Sequence, residues 1–450
     1  MTTELLSPAG SLKNMRYAFA YGADAVYAGQ PRYSLRVRNN EFTLENLALG
    51  IQEAHQLGKK FYVVSNIAPH NAKLKTFIRD LTPVVAMQPD ALIMSDPGLI
   101  MLVREHFPTL PIHLSVQANA VNWATVKFWQ AQGISRVILS RELSLEEIAE
   151  IRQRVPEMEL EVFVHGALCM AYSGRCLLSG YLNKRDPNQG TCTNACRWDY
   201  TVTPAQENEC CDIVESASPA PTLGIGQTTR QALLLTDKMR PDEPMSATED
   251  EHGTYIMNSK DLRAVEHVPR LIEFGVHSLK IEGRTKSFYY CARTAQVYRK
   301  AIDDAQAGKP FDRSLLTTLE GLAHRGYTEG FLRRHTHDSY QNYEKGYSVS
   351  DRQQFVGEFS QARDHGFAEV IVKNKFQCGD HLEVMTPKGN FSFTLATLRD
   401  KNHREITVAP GDGYRVWLPI PPDTALEYAL LVRHLETGQT TQAPHRQNMV

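Results

Sequence analysis

The sequence predicts an eight-stranded βα barrel followed by a second, smaller antiparallel β domain. Three observations carry that reading. Over roughly the first 300 residues, short apolar runs rich in β-branched residues alternate with longer helical patterns, the order of a parallel sheet whose strands are buried on both faces. The rhythm breaks after the seventh run, where four cysteines fall close together. From about Ser350 the pattern turns to apolar–polar alternation between tight turns, as in a half-exposed antiparallel sheet.

The eight runs are Glu4–Ser7, Ala25–Ala28, Lys60–Val64, Ala91–Met94, Ile112–Val116, Arg136–Leu139, Leu160–Val164 and Ser278–Ile281. Between them, the helical pattern Leu12–Tyr21 stops at Gly22, and Leu44–Leu57 stops at Gly58. Glycine there suits the left-handed residue that ends a helix. Ser144-Leu145-Glu146-Glu147 is a capping box that opens another helix. Repeated β-then-α units in this number match a closed TIM-like (β/α)8 barrel, with an open doubly wound sheet as the alternative.

From His165 to about His252 the βα rhythm is lost. The segment Glu207–Asp250, among Pro204, Pro219, Pro221, Pro241 and Pro244, reads as a polar, mobile insertion. Helical patterning resumes over Lys260–Phe274 and Phe288–Ala307. The barrel is therefore assigned to residues 1–310, with the insertion at about 200–252. A helical, basic connector covers 311–349, and a C-terminal antiparallel β-barrel domain covers 350–450. That domain is read from the runs Phe355–Phe359, Ala368–Val372, His381–Val384 and Tyr414–Leu418, and from the turns Pro387–Asn390 and Pro410–Gly413.

The chain has 450 residues, 42% hydrophobic and 22% charged, with a formal net charge of -2. It is no polycation, so nucleic-acid binding has to rest on a local basic patch. The N-terminus lacks a basic stretch followed by an apolar run. No apolar run reaches the roughly 18 residues of a membrane span. A cytoplasmic protein without membrane contact is expected. In a reducing compartment the eight cysteines point to ligation or catalysis rather than disulfides.

Cys169, Cys176, Cys192 and Cys196 fall within 28 residues, directly after the C-terminal end of the seventh strand, on the face where barrel enzymes carry their sites. Thiolates are soft ligands for zinc, copper(I) or iron–sulfur clusters. Structural zinc usually pairs cysteines two to four residues apart, whereas clusters accept the wider Cys169/Cys176 spacing. A [4Fe–4S] cluster is preferred, with zinc left open. The flanking Gly166, Ser173, Gly174, Ser179, Gly180, Asn183 and Asn194 describe turning backbone rather than packed core. Cys210, Cys211, Cys291 and Cys378 have no such company.

The run Glu161–Ser179, with His165-Gly166-Ala167-Leu168-Cys169 and Ser173-Gly174-Arg175-Cys176 inside it, resembles the signature of the collagenase-like peptidase family, unassigned-type family thirty-two. Asn258–Leu262, Ser278–Ser287, Leu6–Gly10 and Gly22–Gly29 fit further blocks of that family, so the resemblance spans nearly the whole chain. It implies a tRNA-modifying enzyme, needed to hydroxylate the wobble uridine to 5-hydroxyuridine in a prephenate-dependent pathway. Relatives act on an rRNA cytidine or serve oxygen-independent ubiquinone hydroxylation. It implies a cysteine-bound [4Fe–4S] cluster, prephenate or a derived compound as co-substrate, tRNA as partner and an electron donor, with no DNA. Many members have a cysteine just after the Lys-Asp-Leu block, where this chain has Arg263. Cys196 is taken as the fourth ligand, and a cluster with one open or non-cysteine position is the alternative. A collagenase-like peptidase, with Cys169 as nucleophile beside His165, and a non-catalytic RNA-binding module with a structural metal are the competing readings.

Residues at the C-terminal ends of barrel strands face the site: Tyr27, Gln30, Asn66, Asp96, Gln117, Asn119, Arg141, His165, Glu282 and Arg284. His165 is a candidate proton donor, or else orients the cysteine loop. Glu282 and Arg284 are candidates for binding a substrate carboxylate or phosphate, or else form an internal ion pair between them and neighbouring strands. Arg32, Tyr33, Arg36 and Arg38 interleave cations with an aromatic, a pattern that suits phosphate contact and base stacking. Arg325, Arg333, Arg334, His335 and His337 form a second basic cluster.

Overall fold

The structure, a computed structural model, describes residues 2–34, 41–67, 69–168, 171–172, 175–176, 200–207, 213–215, 233–237, 240–250, 253–256, 258–324, 326–333, 341–342 and 352–435. Eight parallel strands close into a barrel: β1 (Glu4–Pro8), β2 (Ala25–Gly29), β3 (Lys60–Ser65), β4 (Ala91–Met94), β5 (Ile112–Leu114), β6 (Arg136–Ile138), β7 (Glu159–Ala167) and β8 (Ser278–Ile281). Closure is explicit in the register. β8 pairs β1 through Glu4↔Ser278 and pairs β7 through Ser278↔Glu161. An open doubly wound sheet is thereby excluded.

The helices that follow the first six strands are α1 (Leu12–Ala20), α2 (Leu44–Gln56), α3 (Asn71–Ala86), α4 (Pro97–His106), α5 (Trp123–Ala131) and α6 (Leu145–Arg154). Gly22 and Gly58 lie just past α1 and α2 at φ +103° and +66°, as expected of helix-ending glycines. The Ser144/Glu147 capping box is formed in both directions. The outer layer continues with α7 (Val268–Glu273), α8 (Phe288–Gln306) and α9 (Ser314–Glu320).

Two segments differ from expectation. The polar stretch read as loop-like contains five strands, Tyr200–Glu207, Ile213–Glu215, Leu233–Asp237, Arg240–Asp250 and Gly253–Ile256, in one antiparallel sheet. Its prolines misled the reading. Pro241 and Pro244 fall between the pairs Asp237↔Arg240 and Leu235↔Met245, where the register shifts, and a bulge is where a strand accepts proline. The helical pattern at Lys260 begins later. Asp261–Arg263 is a strand antiparallel to the end of β7, and the helix starts at Val268.

The C-terminal domain is an antiparallel sheet of β9 (Gln353–Asp364), β10 (Phe367–Val372), β11 (His381–Thr386), β12 (Gly389–Thr394), β13 (Leu398–Asp400), β14 (Glu405–Ile406), β15 (Arg415–Pro419) and β16 (Leu430–His434). Its order is β12-β11-β16-β9-β10-β15-β13-β14. Pro387–Lys388 form the two-residue connection of the β11–β12 hairpin, whose last pair is Thr386↔Gly389. The sheet has its own core around Val370, Leu382 and Leu418, while Met385, Leu430 and Val432 join the barrel core. A buried bidentate pair, Arg293 of α8 with Glu383 of β11 at 2.7 and 3.1 Å, ties the two together. Tyr21 adds hydrogen bonds to the carbonyls of Met385 and Tyr428 at 3.0 and 2.9 Å.

At Gly166 β7 turns from one partner to another. Its φ is +105°, and a Cβ there would lie 2.5 Å from the Glu282 carbonyl oxygen. Gly166→Ala is expected to destabilise the fold by about 1–3 kcal/mol, the range for a forced left-handed residue, as read by chemical denaturation. An unchanged midpoint would show that the segment relaxes.

Candidate functional site: the C-terminal mouth of the barrel

The barrel interior is polar along its axis. Arg136 Nη1 of β6 lies 2.6 Å from Glu4 Oε1 and 3.3 Å from Glu161 Oε2. Glu161 in turn accepts from Lys280 Nζ at 2.7 Å. Tyr62 and Ser278 hydroxyls donate to Glu4 at 2.7 and 3.0 Å. All these side chains are buried. Burial pushes the Glu4 carboxyl up, but the Arg136 guanidinium and the Tyr62 hydroxyl outweigh it and hold it below its ordinary value. Burial pulls the Lys280 ammonium down against the opposing pull of Glu161.

Above Lys280 sit the rings of Tyr27, 4.3 Å from Nζ, and Phe163, at 5.3 Å. Arg141 lies over the Phe163 ring at 3.7 Å and pairs with Glu282 Oε2 at 2.7 Å. The expected internal ion pair of Glu282 thus exists, and its partner comes from the end of β6. Arg141 Nε is buried without a hydrogen-bond partner among the described residues. Arg284 reaches across to β2: a Cβ at Gly29 would lie 2.6 Å from Arg284 Nη1 and 2.4 Å from Ser34 Oγ. Glycine is required there for that approach. Asn66 Nδ2 donates to Ser115 Oγ at 3.3 Å. The mouth therefore gathers Arg141, Glu282, Arg284, Asn66 and Ser115, donors and a carboxylate able to orient a polar, anionic or nucleobase group.

Other candidates serve the scaffold. Tyr27 OH donates to the Ile281 carbonyl at 2.9 Å, and Asp96 caps α4 through Leu99 N at 2.9 Å. Gln30 is buried and directed to the Asp80 carbonyl at 3.5 Å. Gln117 lies in the 3₁₀ turn Val116–Ala118, and Asn119 closes it at φ +55°.

His165 departs from its expected place. It does not face the mouth. It is buried against the rings of Tyr298, Tyr327 and Tyr290, with centroids 5.5, 5.6 and 5.8 Å away. Tyr298 OH lies 3.3 Å from its Nδ1. The reason is a bulge: Lys280 pairs with Phe163 but Ile281 pairs with His165, so one extra residue on β7 reverses the side-chain alternation. Burial, then the charges of Lys286 and Arg263, pull its pKa down to about 3. The ring is neutral at physiological pH, which removes it as a charged proton donor. The unfolded chain binds this proton near pH 6.5 and the folded chain does not. Stability is therefore expected to fall as pH drops from about 6.5 toward 3, by up to about 1.4 kcal/mol per unit from this residue. His165→Gln should flatten that slope in denaturation measured across pH. An equally steep slope would contradict the assignment.

Tyr33 also departs from expectation. It is fully buried against Phe77 and donates to Asp80 Oδ2 at 2.9 Å, so no base can stack on it. Arg32 is exposed and paired with Asp80 at 2.8 Å. Arg36 and Arg38 lie outside the described residues. Of the second basic cluster, Arg333 binds Glu329 at 2.7 Å, whereas Arg325, Arg334, His335 and His337 lie outside the description.

The same holds for Cys169, Cys192 and Cys196. Cys176 is placed by backbone alone, in the two-residue strand Arg175–Cys176, where the ladder Ala171↔Cys176 folds the chain back on itself. The ladder sets Cys176 opposite Ala171.

The peptidase family U32 model matches residues 10–342, and its C-terminal domain model matches residues 351–433. The chain belongs to peptidase family U32. Among its relatives, tRNA hydroxylation protein P of Escherichia coli is 74% identical over 98% of this chain and 99% of its own length. The protein of the same name in Haemophilus influenzae is 70% identical over 98% of both chains. A 23S rRNA 5-hydroxycytidine synthase of E. coli is 28% identical over 92% of this chain and 56% of its own length. This U32 chain has no helix among its described residues long and apolar enough to cross a membrane.

Proposed function

We propose that this chain is a tRNA hydroxylation enzyme. The carrying observation is the 74% identity to a tRNA hydroxylation protein across essentially the full length of both chains. The finer reading is hydroxylation of the wobble uridine to 5-hydroxyuridine, in the cytoplasm, with prephenate or a derived compound as co-substrate and a separate electron donor. Converting a C5–H bond to C5–OH removes two electrons from the substrate, which must pass to a co-substrate or redox centre acting as acceptor, since side chains do not take them up.

Cys169, Cys176, Cys192 and Cys196 are the proposed ligands of a [4Fe–4S] cluster. Four thiolates make a soft donor set that fits such a cluster. When bound, the cluster would supply electron transfer at the barrel mouth. The chain's own residues bind and orient. Arg141 and Glu282 form a fixed donor–acceptor pair on the Phe163 platform, and Arg284 offers a guanidinium beside Ser34 for a carboxylate or phosphate. Arg141→Ala removes the guanidinium that lies 2.7 Å from Glu282 Oε2. It is expected to lower turnover by about tenfold or more, the lower range for a positioning contact, measured per folded protein because removing one partner of a largely buried pair also costs stability. Turnover equal to wild type would remove Arg141 from the site.

The function is tested by nucleoside mass spectrometry of tRNA from cells lacking this chain, with and without a plasmid-borne copy. Hydroxylated uridine should vanish and return with the plasmid. Its persistence in the deleted cells would overturn the assignment. Cleavage of a collagen-like peptide, abolished by Cys169→Ser alone, would favour the peptidase reading instead.

A further inference from the structure

We infer that an exposed cationic strip on the β2–α2 loop and α3 is a phosphodiester-binding surface that holds the RNA beside the barrel mouth. The inference rests on the tRNA reading above and names where that partner is held.

The strip consists of Arg32, Lys73, Lys75 and Arg79. All four are exposed, Arg32 and Arg79 with 60% and 73% of their side chains accessible. Between residues 69 and 86, and in 31–34, these four cations stand against one carboxylate, Asp80. The whole chain, by contrast, carries a slight negative excess, 49 Lys and Arg against 51 Asp and Glu. The concentration of positive charge is therefore local, as a polyanion footprint requires.

Position supports the same reading. Arg32 follows the C-terminal end of β2, and α3 follows the C-terminal end of β3. Both therefore start at the mouth. The first turn of α3 has no acidic residue and His70 makes no side-chain cap, so its N-terminal amide dipoles add to the positive potential. Lys75 and Arg79 stand four residues apart, side by side on the helix surface, a like-charge spacing that is unfavourable in itself and is eased at Arg79 by Asp80 at 3.1 Å.

The strip is also built. Asp80 holds Arg32 at 2.8 Å, Arg79 at 3.1 Å and the Tyr33 hydroxyl at 2.9 Å. Lys73 Nζ donates to the Arg32 carbonyl at 3.0 Å, and both cations lie over the buried Tyr33 ring at 5.9 and 5.8 Å. Tyr33 thus acts as a post that sets the two cations rather than as a stacking platform. Fixed cations lose less side-chain entropy on contact with phosphate.

The test uses the full-length protein and an unmodified tRNA transcript, with binding followed by fluorescence anisotropy across a salt series. Lys73→Glu/Lys75→Glu/Arg79→Glu is compared with Lys127→Glu/Arg270→Glu/Lys309→Glu, an equal charge reversal elsewhere on the helix layer. The strip variant should bind at least about tenfold more weakly at low salt, and its log K against log salt slope should be shallower by about two to three. The control should stay close to wild type. Equal weakening in both variants would mean non-specific repulsion and overturn the strip. Unchanged binding in the strip variant would overturn it as well, while leaving the tRNA reading intact. No binding by wild type would overturn both.

Discussion

Glu161→Ala is expected to lower the unfolding free energy by about 3–5 kcal/mol, the usual loss when one partner of a buried ion pair is removed. Glu161 is fully buried and accepts from both Lys280 and Arg136, at 2.7 and 3.3 Å. Without it, Lys280 loses the carboxylate at 2.7 Å and stays buried against the rings of Tyr27 and Phe163, where it must either hold a poorly compensated charge or give up its proton. Arg136 still has Glu4 at 2.6 Å and Glu159 at 2.8 Å, so most of the penalty falls on Lys280. The companion Glu161→Ala/Lys280→Met should recover much of the loss, because an apolar replacement of both charges leaves nothing unpaired. Chemical denaturation of the two variants reads both quantities. A single-variant loss below about 1 kcal/mol would mean that water reaches Lys280 and that the barrel is open along its axis.

The second large effect concerns the cysteines. Each of Cys169→Ala, Cys176→Ala, Cys192→Ala and Cys196→Ala is expected to lower tRNA hydroxylation by about a hundredfold or more, since even outer-shell partners of metal ligands cost ten- to a hundredfold. Barrel stability should change far less than in Glu161→Ala, because the strand ladder closes through β1, β7 and β8 within the described residues. Hydroxylation retained in Cys196→Ala but lost in the other three would single out an open or non-cysteine fourth position, the alternative raised by Arg263.

Much of the fold was legible because its signals are local. The eight apolar runs, the glycines after α1 and α2 and the Ser144 capping box depend on neighbours in sequence, and the structure places them where the pattern does. Two kinds of feature were not legible. The first is parity. Counting alternate residues along β7 puts His165 at the mouth, and only the pairing of Ile281 with His165 reveals the bulge that turns it toward α8. The second is partner identity. Tyr33 beside Arg32 reads as a stacking motif until Asp80, far along the chain, is seen to bind both.

The axial charge column had a signal that could have been used. Glu161 and Lys280 each interrupt an apolar strand, and both sit two residues from another inward side chain, Phe163 and Glu282 respectively. Polar residues at inward positions of facing strands are expected to meet. Arg136 and Glu4 extend the pattern. The Arg141–Glu282 pair was anticipated only as an internal ion pair of unnamed partners, since no sequence rule says which loop arginine reaches which strand.

The most direct test of the account is the metal content of protein purified without oxygen. The account predicts about four iron and four sulfide per chain, as in a [4Fe–4S] cluster, with a broad absorption near 400 nm that disappears in the cysteine variants. Stoichiometric zinc in a colourless protein would contradict it, and would leave a structural or hydrolytic metal site in place of a redox centre.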